Sequence, residues 1–260
     1  MPMFRKRKRG EDISDVLKAW DYDIRQEMMV RRIRGKDTQH KIQMRLDLGL
    51  LQMNEEGRPD GKNPHGKESL LDYFEFIVAK MKRKYGSTTD FTLDKDDCYA
   101  LQQEGIQYYY RYLCFFQLGD YNRAERDTAR NLRLFDFVKK FAAEDKFAQE
   151  FEQYRPYVMM MNTRARVLGA LKKKNVSRAV DEINHGINRL EAVYERGREE
   201  EEGGSRAEVA FLKTWADEIL KHHRPSKKQR LVEELRQAVE HEEFEKAAKL
   251  RDKINRMKDP

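Results

Sequence analysis

Apolar residues recur along this chain in two periods, and the change from one to the other near residue 68 divides the sequence. Between residues 41 and 50, Ile42, Met44, Leu46, Leu48 and Leu50 alternate with Gln43, Arg45, Asp47 and Gly49. Alternation over that length predicts a half-buried β-strand, because successive side chains of a strand point to opposite faces. The turn-forming stretch 35–40 can fold this strand back on residues 29–33 as a hairpin. Trp20 and Tyr22 anchor a short helix within 13–34, and the Gly- and Pro-rich stretch 54–66 reads as loop. From residue 68 the period is helical: Leu70, Leu71, Phe74, Ile77, Val78 and Met81 share one broad face of a helix ending before Gly86. Further helices follow over about 94–118, with Thr92 or Asp94 as N-cap, and over 121–143, 156–173, 176–198 and 206–222. A last pair brackets the turn 240–243: Leu231, Leu235, Ala238 and Val239 lie before it, and Phe244, Ala247, Ala248, Arg251 and Ile254 after it.

The expected organisation is a basic arm over 1–12, a small α+β segment over 13–67, a helical domain over 68–222 and a helical hairpin over 226–260. Three places share one pattern, a turn followed by an apolar residue and then an alanine three positions later. They are Gly119-Asp120-Tyr121 with Ala124, Lys174-Asn175-Val176 with Ala179, and Glu242-Glu243-Phe244 with Ala247. The first resembles the tetratricopeptide repeat, although Asp120 and Asn175 stand further apart than its period of about 34 residues. The fold class expected is therefore mainly α: an irregular, tetratricopeptide-like bundle of helical hairpins with a small N-terminal β element and a C-terminal two-helix hairpin. Stacked hairpins of this kind leave grooves for peptides or partner helices, which points to binding.

Composition narrows the class. The 260 residues are 39% hydrophobic and 38% charged, polar for a compact globule and typical of exposed helical assemblies. No stretch approaches the roughly 18 apolar residues of a membrane span. Two cysteines, Cys98 and Cys114, make neither a disulfide framework nor a metal cluster, and a reducing cytoplasm fits them best. Of the net charge of +7, Arg5, Lys6, Arg7, Lys8 and Arg9 hold five. A duplex-binding domain concentrates its excess on one folded face. Here the excess sits in an arm, which reads either as a solubilising tail or as an electrostatic tether to nucleic acid.

Catalytic signatures are weak. Residues 61–69 approach a phosphate-binding loop, but Glu68 stands where the magnesium-binding hydroxyl belongs and Pro64 lacks an amide donor. A turn capping a helix at Ser69 explains the stretch better. Glu182 and His185 have the spacing used in di-iron bundles, yet no second pair accompanies them. The Gly57-Arg58-Pro59-Asp60-Gly61 turn suggests pairing of Arg58 with Asp60 rather than ligand contact. No cofactor, metal or catalytic residue is expected. The aromatic cluster around Tyr109, Tyr112 and Phe116 is core packing first and a candidate peptide groove second.

The closing segment is the most specific. Its Phe-x-x-Ala-Ala-x-x-Arg-Asp core, present as Phe244, Ala247, Ala248, Arg251 and Asp252, resembles the UVR motif. That motif occurs in the excision-repair helicase UvrB, in the partner nuclease UvrC, and in Clp-type chaperones and their adaptors. The resemblance implies a protein-pairing hairpin, and with it a non-enzymatic adaptor. Phe244 would be the anchor, Leu235, Val239, Ala247 and Ala248 the contact stripe, and Arg251 with Glu243 the flanking charge. The implied partner is another UVR hairpin, in a homodimer or on a Clp-type chaperone. The zinc-binding Cys-x-x-Cys pairs of the Clp adaptors have no counterpart here. The alternative function is an accessory role in nucleic-acid transactions, using the basic arm. Residues 47–53, the Gly57–Gly61 turn and the closing motif together resemble bacterial UVR-containing proteins, which implies no reaction.

Overall fold

The computed structural model describes residues 12–196, 206–222 and 227–255. The chain forms two compact units, Met1–Asp120 and Tyr121–Pro260. The helices over 70–117 fall in the same unit as the β element.

In the first unit, α1 (Ser14–Lys18) precedes a three-stranded antiparallel meander of β1 (Met29–Arg34), β2 (His40–Leu46) and β3 (Gly49–Asn54). The expected strand over 41–50 is therefore two strands joined at Asp47-Leu48, with Leu46 paired to Gly49. Face one of the sheet carries Ile42, Met44 and Met53, all buried. The other face is a polar ladder. Arg31 Nε donates to Gln43 Oε1 at 2.8 Å, and Gln43 Nε2 donates to Gln52 Oε1 at 2.9 Å. Trp20 covers the Arg31 guanidinium, its ring centroid 4.1 Å away. Arg45 is buried and spends its donors on carbonyls, those of Trp20, Leu46, Asp47 and Gly49, which clamps the β2–β3 turn.

A short 3-10 turn, Pro64–Gly66, leads to α2 (Leu70–Tyr85), and α3 (Lys95–Gln117) follows. Ser69 caps α2 by accepting from Asp72 N at 3.2 Å. Of the two caps foreseen for α3, Asp94 is the one used, in a reciprocal capping box with Asp97. Gly86, left-handed at φ 73°, ends α2.

The second unit comprises α4 (Tyr121–Phe141), α5 (Asp145–Glu152), α6 (Arg155–Lys172), α7 (Val176–Arg196), α8 (Ala207–His222), α9 (Lys227–Glu240) and α10 (Phe244–Asn255). Helix α6 is the hub: α4 and α7 pack on it, α8 packs on α7 and α6, and α5 packs on α4. Leu134, Val138, Val167, Ile183, Leu190 and Leu212 have no exposed surface. The chain is mainly α, with its small sheet near the N-terminus and a helical hairpin at its C-terminus. No helix among the described residues is long and apolar enough to cross a membrane.

Candidate functional site

The hairpin of α9 and α10 builds its interior from very little. Leu231, Ala238, Ala247 and Leu250 are buried, with Leu235 and Ile254 packed against them. Alanines on both helices let the backbones approach. The turn closes with Glu242 left-handed at φ 59°, Glu242 N bonded to Val239 O at 3.1 Å and Glu243 N to Ala238 O at 2.7 Å. Helices of this length are marginal alone, so the six apolar side chains do most to hold the pair.

A second apolar stripe runs one residue past the buried one. Val232 and Val239 follow Leu231 and Ala238 on α9, and Ala248 and Arg251 follow Ala247 and Leu250 on α10. In an antiparallel pair an offset of one residue turns both helices toward the same face. That face is open: Val232 is 48% exposed, Val239 51% and Phe244 67%, and Ala248 and Arg251 are exposed as well. Lys246, Lys249 and Lys253, also exposed, line the opposite face of α10.

Of the residues singled out from the sequence, Val239, Phe244, Ala248 and Arg251 therefore lie together on the open face. Leu235 and Ala247 lie inside the hairpin, where they hold its two helices together. Glu243 pairs with Lys246 at 2.7 Å, and this hydrogen bond holds the Glu243 carboxyl below its usual range. Arg251 pairs with its neighbour Asp252 at 3.1 Å. Val232 belongs to the open face and was not among the sequence candidates. Its spacing of seven to Val239 sets the two valines on one face, and the packing of α9 on α10 turns that face outward.

The same turn closure recurs elsewhere. Gly119, at φ 66°, bonds its N–H to Phe116 O, and Asp120 N bonds to Phe115 O. Lys174, at φ 57°, bonds to Leu171 O, and Asn175 N bonds to Ala170 O. In each case the alanine that follows, Ala124 or Ala179, is wholly buried, and Ala247 is nearly so. The apolar residues that open the following helices differ in cover. Tyr121 and Val176 are half-buried. Tyr121 lies beside Gly169 of α6, with Lys172 Nζ 5.8 Å from its ring centre. Phe244 stands uncovered.

Residues 226–259 match the family model of the UvrB/uvrC motif. The hairpin is a UVR motif. UVR motifs mediate interactions rather than catalysis. No curated protein and no solved structure matches the chain.

Other sequence candidates fall outside the UVR hairpin. Tyr112 is wholly buried, while Tyr109 and Phe116 are half-buried, and the three form an edge-to-face ladder with centroids 5.4 and 6.5 Å apart. The tyrosines that α3 presents to solvent are Tyr99 and Tyr110. Arg58 does pair with Asp60, at 3.1 Å, and reaches the buried Glu104 at 3.4 Å. Glu104 in turn accepts from the N–H groups of Leu70 and Leu71, and Arg111 donates to the carbonyls of Asn54 and Gly57. The loop over 54–67 is thus bolted onto α2 and α3. Glu182 pairs with Arg166 and Arg178, and His185 is exposed. Among the described residues no group of His, Cys, Asp and Glu is arranged to hold a metal ion. Arg5, Lys6, Arg7, Lys8 and Arg9 lie outside the described residues.

Proposed function

We propose that this chain is an adaptor that acts without catalysis, docking a protein partner on the open face of its UVR hairpin. The observation that carries this reading is Phe244. It is 67% exposed on a hairpin whose interior is already complete without it. An aromatic ring left in water at the turn end of a face that also carries Val239 and, two turns along, Val232 gains by being covered, and fully burying a Phe side chain is worth about 1.5–3 kcal/mol. The internal comparison supports the same conclusion, since at Tyr121 the equivalent position is covered by another helix of the chain. A partner helix would lie across Val232, Val239, Phe244 and Ala248, with the Arg236–Glu240 and Arg251–Asp252 pairs at its margin. Another UVR hairpin, in a second copy or on a Clp-type chaperone, is the partner first in line.

Replacing Phe244 with Ala tests the reading. Association with the partner is expected to weaken by about tenfold or more, the equivalent of about 1.4 kcal/mol, with the helical circular-dichroism signal retained. Association left unaltered by the substitution would remove Phe244 as the anchor.

A further inference from the structure

The sheet of the first unit has two outer edges, and they differ. The edge of β1 is guarded by charge, with Arg31, Arg32 and Arg34 among its six residues. The edge of β3, Gly-Leu-Leu-Gln-Met-Asn over Gly49–Asn54, has no charge and no proline. Lysine, arginine and proline are the usual protection against pairing with another chain, so β3 is the unprotected edge.

Its free backbone can be located residue by residue. Leu46 and Gly49 close the two-residue turn, Leu51 faces Met44 and Met53 faces Ile42, so the intervening residues turn their N–H and C=O groups outward. Those residues are Leu50, Gln52 and Asn54. Asn54 N is already engaged, donating to Pro59 O at 2.7 Å. Among the described residues no backbone hydrogen bond reaches Leu50 or Gln52 from the outer side. The open edge is therefore two rungs long and centred on Leu51. Gln52 is exposed, Leu50 and Leu51 are half-buried, and the adjoining turn shows Leu46 at 42% and Leu48 at 90% exposure. The Arg45 clamp on the carbonyls of that turn holds this leucine-rich margin in place.

We infer that β3 is a strand-pairing site for β3 of a second copy of this chain. An antiparallel pair about a two-fold axis through Leu51 sets Leu50 opposite the Gln52 of its mate, and Gln52 opposite the mate's Leu50. Both rungs then exchange backbone hydrogen bonds, and Leu51 meets Leu51 across the axis. The paired stretch from Gly49 to Met53 carries no charge of its own. The result joins two three-stranded sheets into one of six strands, with the engaged Asn54 N–H stopping the pairing at either end. The inference stands apart from the UVR hairpin, which lies in the other unit.

Site-directed disulfide trapping in the full chain reads the register. Leu51 residues facing each other in a non-hydrogen-bonded pair have Cα atoms about 4.5 Å apart, within disulfide reach. Leu51→Cys should therefore give a covalent dimer under mild oxidation. Leu50→Cys alone should not, since its mate lies two residues along, beyond the about 7 Å that a disulfide can span. Mixing Leu50→Cys with Gln52→Cys should restore the cross-link. The two native thiols, Cys98 and Cys114, are buried and leave the background low. Trapping of Leu51→Cys should persist when Phe244→Ala is added. A folded Leu51→Cys protein that stays monomeric, equal trapping of Leu50→Cys alone, or loss of trapping with Phe244→Ala would each overturn the assignment.

Discussion

Glu104 has no exposed surface, yet its carboxylate sits on the first two amides of α2 with the Arg58 guanidinium beside it. A helix N-terminus and a cation both favour negative charge, so this carboxylate fastens α2, α3 and the 54–67 loop at one point. Glu104→Ala strips the buried partners of their acceptor and should cost about 3 kcal/mol in chemical denaturation, the lower range for breaking a buried charged pair. Glu104→Gln keeps an acceptor oxygen and should cost less. Gly186 is as exacting for a steric reason. A Cβ there would lie 2.4 Å from Thr163 Cγ2 and Oγ1, so α6 and α7 touch only because glycine occupies the crossing. Gly186→Ala should destabilise the second unit by about 1–3 kcal/mol, as overpacking does, and Thr163→Ala in the same chain should recover part of the loss. Cys114 offers a pH test. Burial pushes its thiol up from 9.0 to about 12, since the thiolate is the form that suffers in an apolar core. The folded state therefore holds its proton more tightly. The associated stability is present below pH 9 and is lost as pH rises through about 12. At pH 8 a thiol reagent should leave Cys114 unreacted until denaturant is added. Reaction in the native protein would mean that the thiol is reached through opening of the core.

At the scale of elements, the helices announced themselves because their apolar residues keep a 3.6-residue period, and the C-terminal hairpin because its turn, alanines and stripe coincide. The sheet was legible only in part. Ile42, Met44, Leu46, Leu48 and Leu50 alternate straight through the β2–β3 turn, since a loop of two residues preserves a period of two. One strand and a hairpin then look alike, and the 90% exposed Leu48 reads as a core residue. Helix α5 went unseen because eight residues with only Phe147 and Phe151 buried give no sustained period. The open face was half legible. Period assigns Phe244 and Val239 to a stripe, but nothing local says that Leu235 and Ala247 turn inward while Val232 turns outward, which depends on how the two helices pack. Leu250 lies on the inward side, so Leu250→Ala should loosen the hairpin itself. The expected loss is about 2 kcal/mol, the low end for buried leucine, read as earlier melting of the helical signal. Phe244→Ala should leave that melting nearly unmoved. The two substitutions thus separate holding the hairpin together from presenting its face.

For the whole molecule, charge and apolar surface point in different directions. Five of the seven net positive charges lie at residues 5–9, whereas the largest exposed aromatic on the C-terminal hairpin is Phe244. If the arm tethered nucleic acid, removing residues 1–9 would abolish a steep salt dependence of DNA binding; the adaptor reading expects no such binding to lose. The β3 edge and the open face of the UVR hairpin belong to separate units. Single substitutions can therefore silence one without the other. The most direct measurement places a photo-cross-linking residue at Val239 in the full chain and compares its capture of protein with that from Lys249, on the charged face of the same hairpin. The account expects one protein species trapped from Val239, absent from Lys249, and reduced about tenfold by Phe244→Ala. Equal capture from both positions, or capture from Val239 that ignores Phe244, would contradict it.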